Sequence, residues 1–257
     1  QNRVIQLFQN ELDYTYLGDW EEGVRTQPVE EDILKTYLLG KGYSSIKSQK
    51  AVDKLVKAAS NLSNGLYEAN KEVYHLLRYG VTVREELGQP KETVWLIDWK
   101  DVESNEFGVA EEVTVQGKHK KRPDVVVYVN GIALGVIELK RSKVGVEQGI
   151  RQNLDNQKDE FIPKFYTTMQ LVLAGNDTQG ARYGTIETSE KYYLKWKEET
   201  TKGYDYLLDK HIAQLFQKYR FLEFIHDFVV FDKGTKKLAR PNQFFGVKAA
   251  QTNVRTK

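Results

Sequence analysis

The sequence predicts an α/β fold, with a mixed central β-sheet flanked by helices, from two kinds of pattern. Residues 28–40 repeat apolar side chains at helical spacing, whereas residues 125–129 and 132–139 form two almost wholly apolar runs typical of buried strands. Along the chain, helices come first, followed by the sheet, a helix, a strand and a last helix. This order is that of a sheet with helices packed against it.

The N-terminal third is predicted to be mainly helical. After an amphipathic stretch and a group of aromatic residues within 1–20, Pro28 stands at the first position of a clear helix, where proline is favoured. Acidic residues at 30, 31 and 32 suit the positive end of that helix, and Gly40 and Gly42 end it. Residues 50–79 continue the helical pattern.

The middle of the chain is predicted to form the sheet. Segments 94–99 and 113–115 are β-like, and the two apolar runs that follow are joined by Asn130-Gly131, a strong hairpin signal. Beyond the hairpin we expect a helix over 144–160, a buried strand over 169–174 and a closing helix near 206–226.

Composition excludes several classes of function. The chain has 257 residues, a formal net charge of +2, no cysteine and four histidines without zinc-like spacing. Disulfides, thiol chemistry and cysteine zinc sites are therefore excluded, and any nucleic-acid surface must be a local patch. No apolar run approaches the roughly 18 residues of a membrane span. We expect a cytoplasmic protein without a membrane partner and, because the sequence starts with Gln1 rather than Met, a piece of a longer chain.

The segment RPDVVVYVNGIALGVIELKRS, residues 122–142, carries the clearest chemical signal. Asp124, Glu138 and Lys140 interrupt apolar strands, where a buried charge is costly unless it is paired or binds a metal. Glu138 and Lys140 are two residues apart and therefore face the same side of a strand. Two carboxylates could hold Mg²⁺, or Mn²⁺ in its place, and a metal-bound water could attack a phosphodiester while the lysine stabilises the charge.

The hairpin loop decides whether Asp124 joins the other two residues. A tight two-residue loop at Asn130-Gly131 would put Asp124 on the face opposite Glu138. A three-residue loop over 129–131, with Gly131 in the left-handed conformation, would put both on one face. The metal-site hypothesis therefore predicts the longer loop or an equivalent bulge.

Basic residues surround the triplet and could contact DNA phosphates. An ordinary solvated loop is the alternative for those before Asp124, and His119 is interpreted as a loop residue. The candidate DNA-binding residues are Lys118, Lys120, Lys121, Arg122, Arg141 and Lys143.

Beyond the 122–142 segment, further characteristic stretches occur over almost the whole chain. They include LDYTYLGDW (12–20), PVEEDILKTYLLGKGYSSI (28–46), VWLIDWKD (94–101), QLVLAGND (170–177) and the 122–142 segment. In this order they resemble the N-terminal part of the restriction (R) subunit of type I restriction-modification enzymes. The resemblance implies a PD-(D/E)XK endonuclease domain, with a restriction-endonuclease-like core, at the head of an ATP-driven DNA translocase.

The resemblance also implies roles for individual residues. Asp124 and Glu138 would be the metal ligands and Lys140 the catalytic lysine. Counting back from Gly42-Tyr43, the family's helix carboxylate falls on Glu31, with Glu30 as the fallback; a purely dipole-stabilising role for Glu31 stays open.

A second family motif, QxxxY on the helix after the lysine, is only partly present. Gln152 stands in the place of the glutamine, but Asn156 replaces the tyrosine, which leaves the role of position 156 open. Gln148, Gln152 and Asn156 form one polar stripe on a helix, facing either the metal site or solvent.

The tail predicts a second domain. We expect an endonuclease domain over 1–230, and a linker with the start of a truncated helicase or translocase motor over 231–257. LARPNQFFGVKAA (238–250) resembles the segment before the first motor motif, in which Gln243 would read the adenine of ATP. The chain has no G-x-x-x-x-G-K-[ST] loop, so ATP is expected only with the full-length subunit, and Gln243 is a linker residue in isolation.

The implied function is that of a type I site-specific deoxyribonuclease, which cleaves unmodified double-stranded DNA after ATP-driven translocation. Its expected partners are the modification (M) and specificity (S) subunits, and because S would find the recognition sequence, this domain should cut with little sequence preference. Two alternatives stay open: a non-catalytic DNA clamp or subunit-docking module, which needs no metal, and a recombination or repair nuclease, which would not assemble with M and S.

Overall fold

The computed structural model describes residues 1–200 and 202–255. Its helices are α1 (Asn2–Asn10), α2 (Glu31–Gly40), α3 (Ser45–Ser60), α4 (Gly65–Tyr79), α5 (Val146–Asn156), α6 (Leu207–Phe216), α7 (Lys218–Asp227) and α8 (Pro241–Arg255). Its strands are β1 (Thr15–Asp19), β2 (Val81–Val83), β3 (Glu92–Val94), β4 (Phe107–Glu111), β5 (Val115–Gln116), β6 (Lys120–Lys121), β7 (Val125–Val129), β8 (Ile132–Leu139), β9 (Leu171–Asn176), β10 (Gly180–Gly184), β11 (Leu194–Lys195), β12 (Val229–Asp232) and β13 (Thr235–Leu238).

A seven-stranded mixed sheet in the order β1-β4-β7-β8-β9-β10-β11 forms the centre of the molecule. The β1–β4 and β8–β9 pairs are parallel, and the other neighbouring pairs are antiparallel. Helices cover both faces, which confirms the predicted α/β class. Within the described residues no helix combines the length and the apolar character that a membrane crossing requires.

The two faces of the sheet bury separate apolar clusters. On one face, Val127 and Leu173 pack with Phe8 of α1, Leu34 of α2 and Phe216 of α6. On the other face, a cluster that includes α5 and the short helical turn Pro163–Tyr166 is formed by Val126, Val136, Ile150, Tyr166 and Val172. Full burial of each large apolar side chain contributes about 1.5–3 kcal/mol, so the sheet is clamped from both sides.

The β7–β8 hairpin has a two-residue turn, so the predicted three-residue loop is wrong. Asn130 and Gly131 both have positive φ, 52° and 80°, as a type I′ turn requires. The Asn130 side chain fixes this conformation because it accepts a hydrogen bond from Glu106 N at 2.7 Å and donates one to Leu96 O at 2.9 Å.

A bulge in β8 has the same effect as the longer loop, as the metal-site hypothesis allowed. Tyr128 faces Ala133, but the next residue of β7, Val127, faces Gly135, so Leu134 is an extra residue in β8. One extra residue reverses which face the rest of the strand presents. Beyond the bulge, Val125 pairs with Ile137, which places Asp124 and Glu138 opposite each other on one face.

Gly131→Ala is expected to destabilise the protein by more than about 1 kcal/mol, because a side chain is strained at positive φ and has no room. A Cβ at this position would lie 2.8 Å from Glu30 O and 3.0 Å from Leu34 N. Urea unfolding would measure the loss. Gly246→Ala is the control, since nothing lies within 4 Å of its Cβ position; an equal loss in both variants would contradict the turn assignment.

Some element boundaries differ from the prediction. Pro28 does not open α2, because the chain at residues 28–30 is bound to the start of β8, with Val29 bridged to Ile132. The predicted helix near 206–226 is divided at Gln217, whose extended backbone ends α6 and whose side chain caps α7 by accepting from Arg220 N. Strand β4 was not predicted; its Gly108 leaves space that the side chain of Leu17 fills.

The tail packs on the same body as the rest of the chain. The β12–β13 hairpin precedes α8, whose Phe244 is buried against Trp196 and Phe228. The boundary at residue 230 and the motor assignment of 231–257 stay predictions.

Candidate active site

Asp124 and Glu138 meet where β7 begins and β8 ends. The last paired residues, Val125 and Ile137, direct the two acids to the same face, which is also the face covered by α5. Asp124 is held in place because its Oδ2 accepts a hydrogen bond from Leu139 N at 2.6 Å. Its other carboxylate oxygen has no hydrogen-bond partner among the described residues.

Glu138 is buried without a hydrogen-bonded partner. Its side chain is 0% exposed, and within the described chain neither carboxylate oxygen accepts a hydrogen bond. Burial, together with the nearby charge of Asp124, raises the pKa of Glu138 well above its ordinary value, and the Lys140 ammonium only partly offsets this. A carboxylate in such a position is costly unless a cation joins it.

Lys140 supplies the positive charge of the site. Its Nζ lies 3.7 Å from Glu138 Oε2 and donates a hydrogen bond of 2.7 Å to Gln152 Oε1 on α5. Its backbone N–H bonds to Gly175 O, which fixes the chain beyond the end of β8. Gly149 lets α5 approach this closely, since a Cβ there would lie 2.9 Å from the Cβ of Ala174.

The donor set fits a hard divalent cation. Both oxygens of Glu138 and the Oδ1 of Asp124 accept no hydrogen bond in the described chain, and carboxylate oxygens are the ligand type that Mg²⁺ and Mn²⁺ accept. No group of three or more His, Cys, Asp or Glu side chains that could hold a metal occurs in the described part of the chain. The two carboxylates would therefore share the ion with water or with phosphate oxygens of a substrate.

The structure does not bring Glu31 or Glu30 to this site. Glu30 N bonds to Gly131 O, so the start of α2 lies at the turn end of the hairpin, about 20 Å along β8 from Glu138. The Glu31 carboxylate accepts from Gln27 Nε2 at 2.5 Å, and Glu30 pairs with Arg25 at 3.3 Å. The helix that begins beside Asp124 is α1: Gln1 Nε2 donates to Asp124 O at 3.3 Å.

The polar stripe of α5 is divided between three environments. Gln152 reaches the site through Lys140, Gln148 is exposed, and Asn156 is buried. Asn156 Nδ2 lies 3.5 Å from the hydroxyl of Tyr166, a contact that the sequence did not suggest. Tyr166 also donates to Asn153 Oδ1 at 2.9 Å, and burial, followed by the charge of Glu138, raises its pKa well above the usual range.

The predicted DNA-binding residues differ in whether their charged groups are free to contact DNA. Arg141 and Lys143 are exposed directly after Lys140, without an ion pair in the described chain, and Lys118 and Lys120 are exposed on the β5–β6 hairpin. By contrast, Lys121 lies 3.8 Å above the ring of Phe161, and Arg122 is paired with Glu112 at 2.7 Å and with Glu21.

Two further predicted residues have local contacts. Gln243 Oε1 accepts from Arg240 N at 2.8 Å, at the start of α8. The His119 ring packs against Phe161, as a loop residue would.

Comparison with known proteins gives one consistent group. Residues 1–191 match the family model described as the type I restriction enzyme R protein N terminus. The HindI type I restriction enzyme endonuclease subunit of Haemophilus influenzae is 30% identical over 221 residues, which is 79% of this chain and 21% of that protein. A Methanocaldococcus jannaschii protein, provisionally named as the MjaIXP type I restriction enzyme endonuclease subunit, is 26% identical over 282 residues, or 97% of this chain and 27% of that protein. The chain thus spans about a quarter of the length of these relatives.

Proposed function

The chain belongs to the type I restriction enzyme R protein N-terminal family, and from this premise we propose that it is a divalent-metal-dependent endonuclease domain that hydrolyses double-stranded DNA. One observation carries the proposal. Glu138 is fully buried without a hydrogen bond in the described chain, opposite Asp124 and beside Lys140, an arrangement that a bound cation would stabilise.

The metal, Mg²⁺ or Mn²⁺, would polarise the scissile phosphate and lower the pKa of an attacking water. Asp124 and Glu138 would hold it. Lys140 would place positive charge beside the phosphate, where negative charge develops as the bond to the attacking oxygen forms. Gln152 is a positioning residue, because its Oε1 holds the Lys140 ammonium at 2.7 Å.

The wider function belongs to the longer protein and is proposed by extension from its relatives. We infer that this domain cleaves unmodified DNA in the cytoplasm, after ATP-driven translocation by motor domains and in a complex with M and S subunits. Gln243 would contact ATP only in that full-length subunit.

A cleavage assay tests the proposed activity. The chain is expected to nick and then linearise supercoiled plasmid in Mg²⁺ or Mn²⁺, at positions with little sequence preference, and to be inactive in EDTA. Cleavage that persists in EDTA, or a fixed pattern of cut sites, would contradict the proposal. A chain that binds DNA equally well in Mn²⁺ and in EDTA, and cleaves neither strand, would be the non-catalytic clamp instead.

Gln152→Leu is expected to lower the single-turnover cleavage rate by about ten- to hundredfold, because the loss of a hydrogen bond to a charged group, worth about 1.5–3 kcal/mol, frees Lys140 from its position. Gln152→Glu keeps an acceptor oxygen and should recover most of the rate. Gln152→Leu, which changes no charge, should bind Mn²⁺ as the wild type does. An equal loss in both, or unchanged rates in both, would show that Gln152 does not position Lys140.

A further inference from the structure

The helix that carries Gln152 is bound to its surroundings by a buried polar side chain. Asn153, the next residue of α5, is fully buried, and both groups of its side-chain amide are hydrogen-bonded. Its Nδ2 donates to Leu173 O of β9 at 2.8 Å, and its Oδ1 accepts from the Tyr166 hydroxyl at 2.9 Å. Asn153 therefore connects α5 to the sheet on one side and to the short helical turn that ends at Tyr166 on the other.

These two hydrogen bonds fix the position of α5 along β9. Val146 and Ile150 of the same helix pack into the apolar cluster on this face. Apolar contacts have no preferred direction, whereas hydrogen bonds do. A slide or rotation of α5 that kept the apolar contacts would misalign both bonds of Asn153 and leave buried amide groups unpaired, which is costly.

The position of α5 in turn determines where the Lys140 ammonium lies. The Lys140 side chain runs beneath Gly149, where a Cβ would lie 3.4 Å from Lys140 Cγ and 3.5 Å from its Cε. Lys140 Nζ then reaches Gln152 Oε1 at 2.7 Å. Because Gln152 and Asn153 are consecutive residues of one helix, a movement of Asn153 also moves the acceptor that holds the ammonium.

The Tyr166 hydroxyl is presented to Asn153 by a turn that α4 holds in place. The Tyr166 side chain is fully buried, and its carbonyl oxygen accepts from Asn70 Nδ2 of α4 at 3.3 Å. Asn70 Nδ2 also donates to Thr167 O at 2.9 Å, and Asn70 Oδ1 accepts from the buried Lys236 ammonium at 2.8 Å. The donor to Asn153 is therefore fixed from behind.

We propose that Tyr166 and Asn153 are positioning residues for DNA cleavage: they fix α5 on β9 and thereby hold Gln152 against the Lys140 ammonium. The inference rests on the proposed nuclease function, in which Lys140 stabilises charge on the phosphate. Both residues are fully buried, so their effect on the reaction passes through Gln152 rather than through contact with DNA.

The first test uses neither metal nor cleavage. Lys140 is labelled with acetic anhydride in EDTA, and mass spectrometry compares its labelling rate with that of the exposed Lys57 in the same protein. Tyr166→Phe removes only the hydroxyl. It should raise the rate at Lys140 by about threefold or more, toward the rate in Gln152→Leu, because an ammonium that loses its acceptor deprotonates more readily.

The matched control is Tyr128→Phe. Tyr128 is buried in the same apolar cluster as Tyr166, but its hydroxyl has no hydrogen-bond partner among the described residues. This variant should therefore label at Lys140 as the wild type does.

The second test is a double-mutant cycle on single-turnover cleavage at saturating Mn²⁺. Tyr166→Phe should lower the rate by about fivefold in the wild type but by less than about twofold in Gln152→Leu, where the interaction that it supports is already absent. A structural role that does not act through Gln152 would lower the rate by the same factor in both backgrounds.

The proposal is overturned by wild-type labelling of Lys140 in Tyr166→Phe, by an equal rise in Tyr128→Phe, or by equal rate factors in the two backgrounds. If Tyr166→Phe does not fold by circular dichroism, Asn153→Ala removes the same contact from the helix side and replaces it in both tests. A wild type that does not cleave DNA would refute the nuclease function, whereas the labelling rates would still show whether Tyr166 positions Lys140.

Discussion

Lys140→Ala is expected to reduce metal-dependent cleavage by about 10²–10³-fold, the usual effect of removing one group that stabilises charge in a transition state. In the structure Lys140 is the cation next to the carboxylate pair, with its Nζ 3.7 Å from Glu138. Single-turnover cleavage of plasmid at saturating Mn²⁺ would measure the loss. Mn²⁺ affinity should not fall, because lysine is not a ligand and its removal takes a positive charge from the site.

The matched control for this variant is Lys57→Ala. Lys57 is an exposed lysine of α3, which packs on the face of the sheet opposite to the candidate site. It should cleave at the wild-type rate. A Lys140→Ala protein that cleaves within threefold of the wild type would remove Lys140 from the mechanism.

Glu138→Gln is expected to stabilise the metal-free protein while abolishing metal binding. The folded-state pKa of Glu138 is raised above its ordinary value of 4.5, so above pH 4.5 the unfolded chain releases a proton that the folded protein retains. The wild type therefore loses stability as pH rises, by about 1.4 kcal/mol for each pH unit until the folded carboxyl ionises. Glutamine at this position does not titrate, and the variant should lack this loss.

Urea unfolding in EDTA between pH 4 and pH 8 measures the effect. The difference in unfolding free energy between Glu138→Gln and the wild type should grow with pH, and Mn²⁺ should stabilise the wild type but not Glu138→Gln. Glu22→Gln, at an exposed position, is the control and should follow the wild type. A Glu138→Gln protein less stable than the wild type at pH 8 without metal would contradict a buried carboxylate that accepts no hydrogen bond in the described chain.

The triplet could be predicted from sequence because its signal is local. Asp124, Glu138 and Lys140 interrupt two apolar runs around Asn130-Gly131, and strand periodicity alone places Glu138 and Lys140 together. The position of Asp124 depended on the bulge at Leu134. The location of this bulge could not be predicted. From Ile132 up to Glu138 the strand is apolar throughout, so no alternation of apolar and polar residues marks where the strand changes face.

Residues that reach the site from distant segments were harder to place. Glu31 was chosen from its spacing to Gly42-Tyr43. The end of α1 is likewise followed by an aromatic residue, Tyr14, so this kind of spacing does not distinguish α2 from α1. Only long-range pairing, with β1 beside β4, shows that α1 rather than α2 begins next to Asp124. The place of Tyr166 depends on the same kind of long-range contact, so spacing along the chain carries no signal for it.

The most direct test of the metal site is a calorimetric titration with Mn²⁺, on the wild type and on Asp124→Ala, each saturated with a short DNA duplex that supplies phosphate oxygens. We predict binding by the wild type and its loss in the variant, since Asp124 and Glu138 would hold the ion together. Equal binding by both proteins, or no binding by either, would contradict a metal-dependent nuclease site at Asp124, Glu138 and Lys140.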